Sequence, residues 1–500
     1  MSTPGGCFSW FSWSKSRNPK PSPTLQQPSL PSVEHKGPER RQYITACDHS
    51  LSDPTTWWLS TDISPPAYNS SESFDAQVID LKVDEIDSQL RSLSMRIHAH
   101  PELGFAEVFA HEILTEFMTA HGFTVTKSYL GIATAFRAEY THGKGGRVVG
   151  VNSEYDALKG IGHACGHNLI AVSGCGVAIA IKAALEAHNV AGTVVLLGTP
   201  AEEGGGGKVI LLEKGGYADM DLCLMCHPNP GPINSVGVAT STALQQLDVE
   251  YFGQNAHAAA APWEGRNALD AAFLAYGSIS VLRQQMRPDH RVHGIITSNE
   301  EWLPNVIPDH AKMQWVARAP NASDLALFVE RVKNCLQAAA LATSCEMKLT
   351  LGQAYLDLRQ NSVLGGYIPC LSRLLLTCFS IGAEFADVMK RYKVSAVAET
   401  SISASTDFVR SLEPHHHHYN VLTSVFPKGN VTYVLPALHP GFAIPTEPGQ
   451  GNHTAGFAKA AASQKAHNAT MLVTKGLAHT GFRALRDEAF FKQVKAAFPS

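Results

Sequence analysis

Two short clusters carry most of the chemistry: Cys165 and His167, separated by one glycine, and the adjacent carboxylates Glu202 and Glu203. His227 follows Cys226, and His439 follows Leu438, each after another apolar run. Thiolate, imidazole and carboxylate are the donors that transition metals prefer. Adjacent carboxylates repel, so a fold keeps them together with a nearby cation or a shared proton. One can then hold a metal while the other takes a proton from water. Each cluster alone is ordinary, since a single buried Cys usually packs and a bare Glu-Glu pair is usually a solvated loop. Their number and shared placement after apolar runs favour chemistry. Glycines 204–207 permit close backbone approach. They form no P-loop, because Lys208 is followed by Val209 and the hydroxyl for magnesium is missing.

The elements that must position these residues are legible as alternating patterns. Strands are expected at Arg147 to Asn152, Thr193 to Leu197, Leu222 to Met225 and Val431 to Leu435, each followed by a polar loop. An Ala-rich helix is expected over Leu169 to Glu186, with Asn168 as its N-cap. Its positive end would lower the Cys165 thiol pKa. Strand, helix and strand in that order give an α/β fold with a mostly parallel sheet, which binds ligands at the carboxyl edge of its strands. Glu154, Asp156, Cys165, His167, Glu202, Glu203, His227 and His439 all lie beyond those ends.

A second module interrupts the first. Leu247, Val249 and Tyr251 alternate, Leu269, Ala272, Phe273 and Tyr276 recur at helical spacing, and Val292–Ile296 and Met313–Ala317 alternate again. Leu325, Phe328, Val332 and Leu336 form another helical stripe opened by Ser323 and Asp324, and Met347, Leu349 and Leu351 close with a strand. The order β-α-β-β-α-β is the ferredoxin-like unit. The chain therefore divides into a Pro/Ser-rich tail over 1–77, expected to be disordered, a first catalytic half over 78–241, an inserted α+β domain over 242–352 and a second catalytic half over 353–500.

With 500 residues, several domains are expected. A net charge of −4 with 17% charged residues argues against nucleic acid as the main partner. The apolar run Leu169 to Ile181 reads as too short to span a bilayer. Ten scattered cysteines read as reduced thiols in a cytoplasmic protein. Pro65 to Tyr68 has the form that docks into WW domains, although so short a match is common by chance. Val409 to Lys428, with histidines 415–418, reads as an aberrant insert whose end residues suit a retained intron; a tolerated surface loop is the plainer alternative.

The segments His98–Phe105, Glu154–Leu158, Gly162–Asn168, Gly198–Glu203 and His257–Trp263 together resemble metallopeptidase family M20, nearest its amidohydrolase and dipeptidase branch, from about residue 84 onward. That branch includes aminobenzoyl-glutamate hydrolases and Xaa-Arg/Lys-type dipeptidases. The resemblance implies a zinc-peptidase-like catalytic domain interrupted by a ferredoxin-like lid or dimerisation domain, working as a homodimer with two divalent ions, zinc or manganese. Matched motif by motif, Cys165, His167, Glu203, His227 and His439 are the implied metal ligands, Glu202 the general base and Asp156 an acidic residue near the metals. His257 is the implied oxyanion donor, in some relatives serving a neighbouring subunit. Glu154 stands where many relatives carry a ligating histidine, and its coordination stays open.

The substrate expected is a dipeptide or N-acyl amino acid, its carboxylate met by Arg318 on a lid-strand edge with help from Asn305. Glu300 and Glu301 would favour cationic substrates. Two other readings compete: Cys165 as a nucleophile with His167, and a catalytically silent binding protein on the same fold.

Overall fold

The main sheet is built from strands whose two faces are both covered. In the computed structural model, which describes residues 74–238, 240–297, 302–365, 384–397 and 431–498, all described residues belong to one compact unit, Thr61–Ser500. The strands are β1 Thr124–Lys127, β2 Phe136–His142, β3 Arg147–Ser153, β4 Gly192–Gly198, β5 Leu222–Leu224, β6 His227–Pro230 and β7 Ser235–Gly237. They continue as β8 Ala243–Phe252, β9 Arg291–Ile296, β10 His310–Ala319, β11 Glu346–Tyr355, β12 Ser395–Val397, β13 Ala437–Leu438 and β14 Gly441–Ile444. The helices are α1 Phe74–Ala99, α2 Val108–Ala120, α3 His167–His188, α4 Gly207–Glu213, α5 Ala268–Leu282 and α6 Ala322–Thr343. After these come α7 Ser362–Gly365, α8 Glu384–Arg391, α9 Val431–Val434, α10 Ala455–Ala461, α11 Gln464–Arg486 and α12 Glu488–Ala496.

Six strands form the central sheet in the order β1-β2-β4-β3-β5-β13, with β4, β3, β5 and β13 mutually parallel. Alternate residues serve opposite cores. Val149, Val151, Val194, Leu196, Leu222 and Leu224 face a core shared with α1, α3 and α11. Val195, Leu197, Cys223 and Met225 face a smaller one with Leu211, Tyr217 and Leu358. Fully burying a side chain such as Leu196 contributes roughly 1.5–3 kcal/mol. Because four neighbouring strands run the same way, the loops after Ser153, Gly198, Leu224 and Leu438 emerge at one edge.

A four-stranded antiparallel sheet, β11-β8-β10-β9, carries α5 and α6 on one face around its own core of Tyr251, Trp315, Phe328 and Leu336. The architecture is therefore α/β with a ferredoxin-like unit in sequence between β7 and α7. A third sheet, β12-β7-β14-β6, has no counterpart in the periodicity.

Several local expectations need correction. Residues 431–434 form helix α9, and the fourth parallel strand is the short β13 that follows Pro436. Asn168 lies inside α3, where its side chain donates to Ser94 Oγ and the Ala461 carbonyl; the N-cap is Gly166, with φ +79°. Asn321, not Ser323 or Asp324, caps α6, its side chain accepting from Asp324 N–H. Helix α1 starts at Phe74, within the segment read as tail. Helix α3 runs 22 residues, long and apolar enough to cross a membrane, but most of it is buried in the core. Arg318 lies on β10, between β8 and β9. The Pro65–Tyr68 motif, Glu300 and Glu301, and the 409–428 insert lie outside the described residues.

Candidate functional site

The parallel strand ends converge on a buried cluster of donors. Cys165 Sγ lies 3.3 Å from His227 Nε2. One ligand atom each from Cys165, His167 and His227 falls within 4.8 Å of the others, as do sets from Cys165, Glu203 and His453 and from His167, Glu202 and Glu203. The Cys165–His167 turn needs Gly166: its φ is +79°, and a Cβ there would lie 2.6 Å from Pro228 Cγ. That approach brings the His227 strand against Cys165. His227 in turn sits beside Gly441 across the β6–β14 pairing, with its N–H donating to the Pro440 carbonyl. His439 follows β13, its ring 6.1 Å from that of His227 and outside the tight groups. The Gln360 side chain clamps the His439 backbone from both sides, at 2.8 and 2.6 Å.

Hydrogen bonds fix which ring nitrogen faces inward. His167 Nδ1 donates to the Asp156 carbonyl at 2.8 Å and to Asp156 Oδ1 at 3.0 Å. His227 Nδ1 donates to the Pro228 carbonyl at 2.9 Å. Both Nε2 atoms are thereby turned into the cluster, the arrangement that orients ligating histidines. Asp156 uses its other oxygen to accept Glu203 N–H at 2.9 Å. It orients His167 and the Glu203 turn from behind.

Electrostatics favour a cation. His167 Nε2 and Glu203 Oε1 are buried without a hydrogen bond, 3.9 Å apart. Burial opposes charge on Glu203, but His453 and His167 hold its carboxyl below the usual range. Burial also opposes charge on His167, yet Asp156, Cys165 and Glu154 raise its pKa well above the ordinary imidazole value. Burial lowers His227 and pushes His439 down to about 3, so both offer neutral nitrogens. The Cys165 thiol departs from expectation: burial, joined by Glu203 and Glu202, pushes it up despite the helix end. Buried thiolate, imidazole and carboxylate donors fit a divalent metal once such a cation compensates the charge.

Glu154 is fully buried with Lys208 Nζ 2.7 Å from its Oε1, while Oε2 lies 3.4 Å from His167 Nε2. Burial raises its pKa, but Lys208, His167 and His227 together carry it below the usual carboxylate range. Lys208, His453 and Asn452 carry no sequence signal that marks them. His453 Nε2 is 3.3 Å from Glu203 Oε2, and Asn452 donates to the Pro228 carbonyl at 3.1 Å and to Cys165 Sγ at 3.9 Å.

His257 and Asn305 are brought together through the His257–Val306 bridge and the Ala258 N–H to Asn305 carbonyl bond. Both are exposed, and no described contact joins them to the cluster. Arg318 lies eight residues along β10 from His310, about 26 Å of strand. His98 and His100 make backbone contacts, to the Ala458 and Arg96 carbonyls.

A parallel sheet edge gathering Cys, His and paired Glu, beside a ferredoxin-like insertion, is the layout of a peptidase-type hydrolase. The chain belongs to peptidase family M20/M25/M40, whose profile matches residues 150–493. It is 36% identical over 432 residues to Xaa-Arg dipeptidase of Mus musculus, covering 83% of this chain and 90% of that protein. It is 28% identical over 458 residues to one of the p-aminobenzoyl-glutamate hydrolase polypeptides of Escherichia coli strain K12, covering 83% and 93%. Among solved structures, the Bacillus subtilis YXEP protein, a dinuclear metal binding peptidase, superposes with a TM-score of 0.58 at 17% identity, over 80% of this chain and 99% of that one. An aminobenzoyl-glutamate utilization protein from Klebsiella pneumoniae gives 0.56 at 15%, over 82% and 99%. The chain is thus a hydrolase of peptide or linear amide bonds.

Proposed function

We propose that the protein hydrolyses the amide bond of a small substrate, a dipeptide or N-acyl amino acid, with divalent ions held by Cys165, His167, Glu203, His227 and His439 and with Glu202 as general base. The observation that carries this is the inward-facing pair of Nε2 atoms on His167 and His227 beside Cys165 and two carboxylates. Zinc suits the thiolate and manganese the carboxylates. Divalent ions in such a site supply Lewis acidity that polarises the scissile carbonyl and acidifies water. Glu203 belongs to the groups of both Cys165 and His167, whereas Glu202 belongs only to the latter, which leaves Glu202 to move protons. Glu202 accepts a proton from the attacking water and returns it to the leaving amine. Asp156 keeps the His167 proton on Nδ1.

His257 Nδ1 accepts from Ala259 and Ala260 N–H, so a neutral ring carries its proton on Nε2, suited to an oxyanion. Its exposure supports a homodimer in which residues 242–352 present it to the other copy. The similarity to Xaa-Arg dipeptidase makes dipeptides with a C-terminal Arg the first substrates to try. Six described cysteines, Cys165, Cys175, Cys223, Cys226, Cys335 and Cys345, are free thiols, which supports a cytoplasmic setting. The raised Cys165 thiol weighs against a nucleophile.

The test is metal analysis of the purified protein and turnover of a panel of Xaa-Arg, Xaa-Lys, Xaa-Glu and N-acyl substrates. Chelation is expected to abolish turnover and added zinc or manganese to restore it. Glu202→Gln is expected to lower kcat by about 10²–10⁴-fold while metal content stays constant. Full activity in Glu202→Gln, or turnover insensitive to chelators and blocked by thiol alkylation, would refute the reading.

A further inference from the structure

The loop between α1 and α2 wraps the turn that carries Glu202 and Glu203. A Cβ on Gly104 would lie 2.8 Å from the Ala201 Cβ, and one on Gly205 would lie 2.6 Å from Phe105 Cε2. The same loop is tied to the Asp156 segment by Ala157 N–H donating to the Glu102 carbonyl at 2.7 Å. Ala201 has φ +56°, a left-handed conformation that costs an L-residue about 1 kcal/mol or more and persists only where surroundings impose it. The group that meets it is Glu107, wholly buried. Glu107 Oε1 accepts Ala201 N–H at 2.8 Å, and Oε2 accepts the Thr134 hydroxyl at 2.7 Å. On the other side of Glu202, Glu203 N–H ends on Asp156 Oδ2. The peptide N–H groups of both residues flanking Glu202 therefore rest on buried carboxylates from different segments.

We propose that Glu107 is a positioning residue for the hydrolytic site: its side chain pins the Ala201 peptide in the left-handed turn and so aims Glu202 and Glu203 into the donor cluster. This rests on the roles proposed above for Glu202 and Glu203. Glu107 belongs to none of the donor groups described above; its reach is what matters. Glu107→Gln keeps the length and a carbonyl oxygen for Ala201 N–H, with its amide facing a hydroxyl that can accept. Glu107→Asp keeps the charge but falls one methylene short.

The experiment compares Glu107→Asp and Glu107→Gln in the full chain by thermal unfolding, zinc affinity in competition with a chelator, and steady-state kinetics on an Xaa-Arg dipeptide. Glu107→Asp is expected to weaken zinc binding by about 10- to 100-fold and to lower kcat with little change in KM. Glu107→Gln is expected to recover most of that loss. Parental zinc affinity in a folded Glu107→Asp protein overturns the proposal. Equal impairment of both variants, or a lowered Tm in both with zinc affinity untouched, overturns it too. If Glu107→Asp does not fold, Thr134→Val releases one Glu107 anchor without altering the turn, and unchanged zinc affinity there counts equally against it. A parent that binds zinc yet cleaves neither dipeptides nor N-acyl amino acids refutes the functional reading, while the zinc contrast still decides the role of Glu107.

Discussion

Glu154 and Lys208 show how a fully buried charge is tolerated next to a metal-type cluster. Glu154 Oε1 lies 2.7 Å from Lys208 Nζ. Removing one member of such a pair leaves an uncompensated charge in the interior, which typically costs about 3–5 kcal/mol. Lys208→Met is therefore expected to lower Tm by several degrees, and the double variant Glu154→Gln/Lys208→Met to regain most of that loss. Thermal unfolding of the parent, the single variant and the double variant checks this. Additive destabilisation in the double variant would show that the pair is not coupled.

At the scale of elements, the site depends on short segments held in unusual backbone conformations. Gly166 opens α3 with φ +79°, and its missing Cβ admits Pro228 and hence the His227 strand. Gly166→Ala is expected to cost about 1–2 kcal/mol from the left-handed conformation alone, with a further loss as Pro228 is displaced. Because the displaced strand carries His227, zinc affinity should fall together with Tm. Calorimetry and chelator competition on one preparation separate the two effects. Parental zinc affinity in a destabilised Gly166→Ala protein would show that the approach of Pro228 does not set the Cys165–His227 geometry. The third sheet has the same consequence: pairing of β6 with β14 places His227 next to the strand that follows His439.

At the scale of the molecule, α1 and α11, far apart in sequence, are joined by a ladder of polar pairs. Asp80 accepts from His479 at 2.9 Å, Asp84 pairs with Lys475 at 2.7 Å and Asp87 with His467 at 2.9 Å. Tyr392 also donates to Asp80, at 2.5 Å. Burial alone would raise the Asp80 carboxyl, but hydrogen bonds from His479 and Tyr392 carry it below its ordinary value of 3.8. A depressed carboxyl stabilises the fold above its unfolded pKa, and that contribution fades as pH falls through the folded value. Asp80→Asn is thus expected to be less stable than the parent by about 2 kcal/mol at neutral pH. The gap should narrow only below about pH 3.8. Urea unfolding of both proteins across pH 3–7 tests this, and a gap independent of pH over the acid limb would exclude ionised Asp80 as its source.

The donor types were legible in the sequence because each lies directly beyond an apolar strand or at a helix start, where periodicity and turn residues mark a loop. Cys165, His167, Glu202, Glu203, His227 and His439 follow this rule, and so does the ferredoxin-like order of elements. Local spacing says nothing about which partner a side chain meets across the fold. That left undetermined the inward face of His167 and His227, the Lys208 counter-charge on Glu154 and the arrival of His453 at Glu203. It also misjudged Cys165, whose thiol responds more to burial than to the end of α3. The chain order alone determined which chemical groups are present and the element each one follows. Long-range packing decided their protonation, orientation and neighbours, because desolvation and hydrogen bonding depend on residues brought together from distant segments.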